Sequence, residues 1–182
     1  GAVAPDGTAE SALNLSVALR VRDLCAFLGV DTVMTRDTEE ISYPSEAKTI
    51  AAMKKWDTRR RVEIAESVDS PVFLSIHQNI YPSSGPHGSQ VLYAQNEPSR
   101  ALAELIQSRL TAALLPENRR VPVPAGKDIY IMSHVQCTAV LVECGFLSHP
   151  QELSLLQSAD YQKKIASVLT ACYLQFTEKG VL

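Results

Sequence analysis

Two short apolar runs decide the fold: Pro71-Val-Phe-Leu-Ser-Ile-His77-Gln-Asn79 and Thr138-Ala-Val-Leu-Val-Glu143-Cys-Gly-Phe146. Short runs rich in β-branched and aromatic residues are typical of buried strands. The apolar part of each run leads into an ionisable residue, His77 or Glu143, and ligands bind at the carboxyl ends of the strands in α/β proteins. We therefore expect His77 and Glu143 to lie together in an active site, and we expect that site to depend on a metal ion.

Helical periodicity surrounds these two runs. Apolar residues recur at spacings of three and four over residues 10–28 and from Glu97 or Ser99 up to Pro116, which indicates amphipathic helices. Thr8 or Asp6 is the predicted cap of the first helix, and Gly29 its end. Further helices are expected at about residues 49–66, 150–157 and 160–176.

Two other runs have the character of strands, residues 31–35 and residues 89–94. Polar stretches at residues 37–48 and 81–88 are predicted loops, the second of them beside the site. Alternating helices and apolar strands predict an α/β fold with a mainly parallel central sheet flanked by helices on both faces. The length of 182 residues fits one domain over residues 1–182.

Composition excludes some classes of function. The net charge of −3 and the pI near 5.8 leave no basic surface for nucleic acid. No apolar run approaches the roughly 20 residues that span a bilayer. The chain opens on Gly1-Ala-Val3 rather than on a signal peptide, so we expect any leader to have been removed. We expect a monomer.

The cysteines leave the cellular compartment open. Cys25, Cys137, Cys144 and Cys172 are widely spaced, form no Cys-x-x-Cys pair and lie in apolar stretches. Four buried thiols are the simpler interpretation. An even number of cysteines also permits two disulfides in an oxidising compartment.

Four motifs resemble those of the zinc-dependent N-acetylmuramoyl-L-alanine amidases, in the same order along nearly the whole chain. They are Glu10 with Leu13-Asn-Leu15, Met34-Thr-Arg36-Asp37, Ser75-Ile-His77-Gln-Asn79 and Leu141-Val-Glu143-Cys-Gly-Phe-Leu-Ser148. These cell-wall hydrolases cut the amide between muramic acid and the first L-alanine of the stem peptide. The long segment at residues 39–60 resembles the subgroup that acts in spore cortex maturation and germination.

The resemblance implies a zinc ion held by two histidines and a glutamate, with a second glutamate for proton transfer. By position, Glu10 and His77 match two ligands and Glu143 matches the catalytic carboxylate. The family's first histidine lies in a Gly-His-Gly-Gly segment after an N-terminal strand, and Gly1-Ala2 matches the residues just after that segment. We therefore expect this histidine and the first strand to be missing from the chain. Without that ligand, we expect the zinc occupancy of this chain to be low.

The resemblance also implies the chemistry and the setting. Catalytic zinc takes three protein ligands and lowers the pKa of a water at the fourth position to roughly 7. Glu143 would take the proton of that water and return it to the leaving amine. No His-Glu-x-x-His helix is present. The substrate would be peptidoglycan, and the protein would be exported to the cell envelope or the extracellular space.

Other residues keep two interpretations. Asn79, Arg119 and Arg120 are candidates for substrate binding, since Arg forks match the carboxylates of a stem peptide. For the two arginines and Lys127, a solvated loop is the alternative. Without the resemblance, Glu10 would be interpreted as an ordinary acidic residue in the first turn of a helix, where the helix dipole favours negative charge. Arg36 is expected to be structural. Possible sources of the missing ligand are His87, His134 and His149.

Two other classes of function remain open. One is a wall-binding or regulatory module on the same fold, with catalysis lost together with the first ligand. The other is a hydrolase that uses the Cys144 thiol, although no motif places a histidine and an orienting acid around it.

Overall fold

The computed structural model describes residues 1–178. Within them the chain forms ten helices and strands, in this order: α1 (Glu10–Phe27), α2 (Ile50–Glu66), β1 (Val72–Asn79), β2 (Gln90–Tyr93), α3 (Glu97–Leu114), β3 (Val123–Pro124), α4 (Tyr130–His134), β4 (Thr138–Phe146), α5 (Pro150–Gln157) and α6 (Ala159–Glu178). All five helices expected from periodicity are present.

The described strands form one mixed sheet in the order β1-β4-β2-β3. The pairs β1/β4 and β2/β3 are parallel, while β2 runs antiparallel to β4. The prediction of a mainly parallel sheet is therefore confirmed. The longest strand, β4, lies inside the sheet and carries Glu143, whereas β1 is an edge strand within residues 1–178 and carries His77.

Helices cover both faces of the sheet, as predicted. Alternate residues of β4 enter two separate cores, because successive side chains of a strand point to opposite faces. Val140, Val142 and Cys144 pack with residues of α1, α3, α5 and α6. Ala139 and Leu141 pack with residues of α2 and α4. Burial of each large apolar side chain contributes roughly 1.5–3 kcal/mol.

The start of α1 differs from the prediction. Ala9 is the capping residue and offers no side-chain cap, so the assignment of the cap to Thr8 or Asp6 is wrong. The carboxylate of Asp6 instead accepts the backbone N–H of Thr8, at 2.9 Å, inside the preceding turn. At the other end Gly29 has a φ of +73°, which glycine tolerates best, and the helix ends there as predicted.

Residues 31–35 do not form a strand, which corrects the prediction. A strand needs a neighbour for its backbone hydrogen bonds, and no described strand pairs with this segment. Side chains hold it in place instead: Arg36 donates to the carbonyl of Ser11 on α1, and Arg61 on α2 donates to the Thr35 hydroxyl. A strand-like composition is therefore not enough to form a strand when no neighbouring strand is available for pairing.

The described part of the chain includes no helix both long and apolar enough to cross a membrane. The cysteines are free thiols. Cys25, Cys144 and Cys172 are buried, and Cys137 is half-buried. The interpretation as core thiols is confirmed for three of the four.

Candidate active site

The site begins where β1 and β4 end. His77 and Glu143 are register partners in this parallel pair, so their side chains lie side by side on one face of the sheet. The register shifts between His77 and Asn79, and Asn79 pairs with Phe146 beyond this irregularity. The sequence placed His77 and Glu143 at neighbouring strand ends, and the structure brings them together there.

Glu10 reaches the site from the first turn of α1. Its Oε1 lies 2.9 Å from Nδ1 of His77, a residue 67 positions away in the sequence. Its Oε2 accepts the backbone N–H of Ala2 at 2.8 Å. The Asn14 amide and the backbone N–H of Gln78 also donate to Oε1. Glu10 is therefore held from four directions.

These contacts set the charge state of Glu10. Burial alone would raise the pKa of this carboxyl. The hydrogen bonds from His77, Ala2 and Asn14 outweigh burial and lower the pKa to about 2, because they favour the ionised form. The carboxylate is almost covered, with 9% of its side chain exposed, while the His77 side chain is 40% exposed.

Glu10 and His77 fit a zinc ion by their chemistry. Carboxylate oxygen and imidazole nitrogen are ordinary zinc donors, and here Oε1 of Glu10 and Nδ1 of His77 lie 2.9 Å apart. The His77 side chain is partially exposed, so solvent reaches this residue. Within residues 1–178 no group of three His, Cys, Asp or Glu side chains is assembled that could hold a metal ion. A complete site needs at least one more ligand.

Glu143 has the opposite environment. Burial raises the pKa of its carboxyl to about 7, and the negative charge of Glu10 adds to this effect while His77 opposes it. Its Oε2 is buried and has no hydrogen-bond partner in the described structure. An unpartnered buried carboxylate oxygen is costly, so it is usually kept for a ligand or a reaction.

Two supporting residues belong to the quoted motifs but received no role in the sequence analysis, Asn14 and Gln78. Asn14 donates to Glu10 and accepts from the side chain of Gln78, at 3.3 Å, so α1 and β1 are joined beside the candidate ligands. The signal for Asn14 was its spacing of four from Glu10, which puts both on one face of a helix. Gln78 follows His77 directly and is buried.

Glu152 was also missed. This buried residue in the first turn of α5 accepts the backbone N–H of Gly88 at 2.9 Å and that of Phe146 at 2.8 Å. It therefore joins the loop at residues 81–88 to the end of β4. Tyr81 strengthens this connection by donating its N–H to the Ser148 hydroxyl. The loop is therefore attached to the segment that follows β4.

The predicted substrate-binding residues are placed differently from one another. Asn79 is half-buried, two residues beyond His77, and its carbonyl accepts the N–H of Leu147. Arg119 is exposed. Arg120 is half-buried and donates to the His87 carbonyl and to the Gln90 side chain. Both arginines line an open groove of about 550 Å³ between α3 and residues 116–122, which contains none of Glu10, His77 and Glu143.

The other histidines do not join Glu10 and His77. The ring of His87 packs against that of His149, with 5.1 Å between the ring centroids. Nδ1 of His87 lies 2.9 Å from the Gly85 carbonyl oxygen. The His134 ring stacks on Tyr130 at 3.7 Å, at the end of α4. Within residues 1–178, none of these three histidines is assembled with other His, Cys, Asp or Glu side chains into a group that could hold a metal ion.

Arg36 and Cys144 have structural environments. Arg36 donates to the carbonyls of Thr38 and Ser11 and so ties the segment after α1 to the first turn of that helix. Cys144 is 1% exposed, and burial together with the charge of Glu143 raises the pKa of its thiol to about 12. A thiol in this state is a poor nucleophile, which argues against the cysteine hydrolase.

Known proteins are similar to the chain in sequence and in structure. Residues 1–172 match the family described as N-acetylmuramoyl-L-alanine amidase. The germination-specific N-acetylmuramoyl-L-alanine amidase of Bacillus subtilis (strain 168) is 36% identical over 187 residues, which cover 97% of this chain and 77% of that protein.

Solved structures agree with this assignment. The CwlD amidase from Clostridioides difficile, solved in complex with the GerS lipoprotein, matches with a TM-score of 0.92 and 30% identity, over 98% of this chain and 91% of that one. The N-acetylmuramyl-L-alanine amidase from Mycobacterium smegmatis matches with a TM-score of 0.81 and 25% identity, over 98% and 82%.

Proposed function

Because this chain belongs to the N-acetylmuramoyl-L-alanine amidase family, we propose that it hydrolyses the amide between N-acetylmuramic acid and L-alanine in peptidoglycan. The similarity to a germination-specific amidase and to CwlD supports a role in the spore cortex. Such a substrate places the protein in the cell envelope or outside the cell. The single domain predicted over residues 1–182 is the catalytic unit of this proposal.

Glu10 and His77 are the proposed zinc ligands. The observation that supports them is the proximity of Glu10 Oε1 and His77 Nδ1, 2.9 Å apart, near the end of β1. Bound there, zinc would polarise the scissile carbonyl and acidify a water molecule. Asn14 and the backbone of Ala2 keep the Glu10 carboxylate ionised and oriented.

The third ligand is proposed to be a histidine upstream of Gly1. Gly1 lies directly beside Glu10: a Cβ on this glycine would be 3.0 Å from Oε2. A residue joined to Gly1 would therefore start next to the candidate ligands. This geometry supports the resemblance, which places a Gly-His-Gly-Gly segment at that point.

Glu143 is the proposed acid and base. A pKa of about 7 suits a group that must take a proton from the attacking water and then return it to the departing amine near neutral pH. Its unpartnered Oε2 is free to accept that proton. The register of β1 with β4 keeps Glu143 beside His77, one of the candidate zinc ligands. Asn79, Arg119 and Arg120 are proposed substrate contacts.

The test compares the chain with a version extended upstream to include the histidine. We expect the extended protein to bind one zinc per molecule by elemental analysis and to release L-alanyl amino termini from peptidoglycan. Glu10→Gln and His77→Ala should lose zinc, whereas Glu143→Gln should keep zinc and lose activity. His134→Ala, distant from the site on α4, is the matched control and should retain both.

Other results would contradict the proposal. An extended protein that binds no zinc, or zinc-loaded protein that releases no amino termini, would exclude the enzyme. Binding to peptidoglycan without cleavage would then favour a wall-binding module, the second candidate.

The protein is proposed to be a monomer. The predicted monomer should be checked by light scattering, because the similar CwlD amidase was solved in complex with a lipoprotein. The acidic pI argues against a nucleic-acid partner, which remains a prediction.

A further inference from the structure

We propose that Arg120, positioned by Gln90 and Phe146, binds a free carboxylate of the stem peptide and makes the enzyme prefer anionic over amidated peptides. This inference deepens the proposed function and rests on it. It names the group recognised, the residue that recognises it and the side of the site on which the peptide lies.

The first step is a row of side chains across the sheet. Glu143 on β4 has two register partners, His77 on β1 and Gln90 on β2. Side chains of register partners lie on the same face, so Gln90 continues the row on the side of Glu143 away from His77. The candidate metal ligands therefore lie at one end of the row and Gln90 at the other.

The second step is the attachment of Arg120 to this row. Its Nη1 donates to Oε1 of Gln90 at 3.0 Å, and its Nε donates to the carbonyl of His87 at 2.9 Å. Its guanidinium carbon lies 4.7 Å from the centre of the Phe146 ring, three residues beyond Glu143. Gln90 is itself fixed, because its Nε2 donates to the Val121 carbonyl at 3.1 Å. The guanidinium is therefore preorganised.

The third step concerns charge. Arg120 forms no ion pair with any carboxylate in residues 1–178, and the partners of its two hydrogen bonds are neutral. Its positive charge is thus left uncompensated, although the side chain is half-buried. Among the described residues, no hydrogen bond uses Nη2 or the second N–H of Nη1. A planar fork of this kind matches a carboxylate with two parallel hydrogen bonds.

The fourth step gives the direction of the substrate. Hydrolysis requires the scissile carbonyl near Glu10 and His77 and the leaving amine near Glu143. The row then continues to Gln90 and Arg120, so the peptide that departs with the amine lies over this end. Arg120 would therefore bind a carboxylate on the residue that follows L-alanine in the stem peptide. Exposed Arg119 has no comparable support.

The experiment uses the zinc-loaded full-length protein and two matched muropeptides. One carries a free carboxylate on the residue after L-alanine, and the other carries a carboxamide there. The readout is the ratio of the two kcat/KM values within each variant, which does not depend on the fraction of folded protein. We expect the unsubstituted protein to prefer the carboxylate by about 10- to 100-fold, the range for a hydrogen-bonded charge.

Substitutions at Arg120 test whether this residue causes the preference for the carboxylate substrate. Arg120→Gln should bring the ratio close to 1, mainly through a higher KM for the carboxylate substrate. Arg120→Lys should retain part of the preference, since it keeps the charge and loses the fork. Arg22→Gln is the matched control, because Arg22 is on α1 and pairs with Asp23. Its ratio should be unchanged.

Each alternative outcome has a distinct meaning. A protein inactive on both muropeptides refutes the proposed amidase rather than the role of Arg120. Activity with no preference in the unsubstituted protein overturns the inference. A preference that survives Arg120→Gln also overturns it, as does one abolished by Arg119→Gln instead.

Discussion

The metal-free protein should become more stable at alkaline pH when Glu143 is replaced by glutamine. The folded-state pKa of Glu143 is about 7, above its ordinary value of 4.5, because the carboxyl is buried. The folded state therefore holds the proton more tightly than the unfolded state does. Stability falls as the pH rises from about 4.5 to about 7, and it does not change further through this group at higher pH.

The magnitude follows from the two pKa values. Each pH unit between them corresponds to about 1.4 kcal/mol, so the full penalty for ionised Glu143 is about 3 kcal/mol above pH 8. At pH 5 the penalty is only about 1 kcal/mol. Glutamine resembles the protonated acid at every pH. Glu143→Gln should therefore gain about 2 kcal/mol more at pH 8 than at pH 5, which for this size corresponds to roughly 4–8 °C in Tm.

The assay is thermal unfolding in a chelator at pH 5 and pH 8. Any loss of packing caused by the amide is independent of pH and cancels in the comparison. Glu117→Gln, in an exposed loop, is the matched control and should shift Tm little at either pH. An equal shift for Glu143→Gln at both pH values would refute the reasoning, because it would mean that burial does not oppose ionisation of this carboxyl.

Three further predictions concern the surroundings of the site. Glu152→Gln should lower the free energy of unfolding by about 1–3 kcal/mol in urea titrations, since its amide nitrogen would face one of two backbone N–H groups. Gly88→Ala should also lower the free energy of unfolding, because φ is +89° and the new Cβ would lie 2.7 Å from the Asn118 side chain. Gly85→Ala is the control, since a Cβ there would meet no atom within 4 Å. Equal losses of stability in the two variants would contradict the steric argument. Iodoacetamide at pH 8 should leave Cys144 unmodified in the folded protein by mass spectrometry, since the thiol is buried with a pKa of about 12; labelling at this position would contradict it.

Most of the secondary structure could be read from the sequence because local signals were strong. The apolar periodicity of α1 and α3 and the runs of β1 and β4 matched the observed bounds closely. Residues 31–35 have equally strand-like composition, yet they remain irregular because pairing is a property of two segments. Helix α4 is five residues long, too short to show a period.

The candidate site was predictable in part for a related reason. His77 and Glu143 end apolar strands, and a general rule about strand ends brings them together. Glu10 was accessible only through family resemblance, since a glutamate in the first turn of a helix is ordinary. Gln90 had no local signal, because its position beside Glu143 depends on the antiparallel register of β2 with β4.

The packing of the first helix against the last has a consequence for folding. Ser16 on α1 donates to Gln162 on α6 across 146 residues of sequence, and Leu13 and Val17 share a core with Leu169. The apolar face of α1 is therefore completely covered only once α6 has been synthesised. Because closing so long a loop is costly, this contact forms late. The core that α1 and α6 share should therefore form only after both helices have been synthesised.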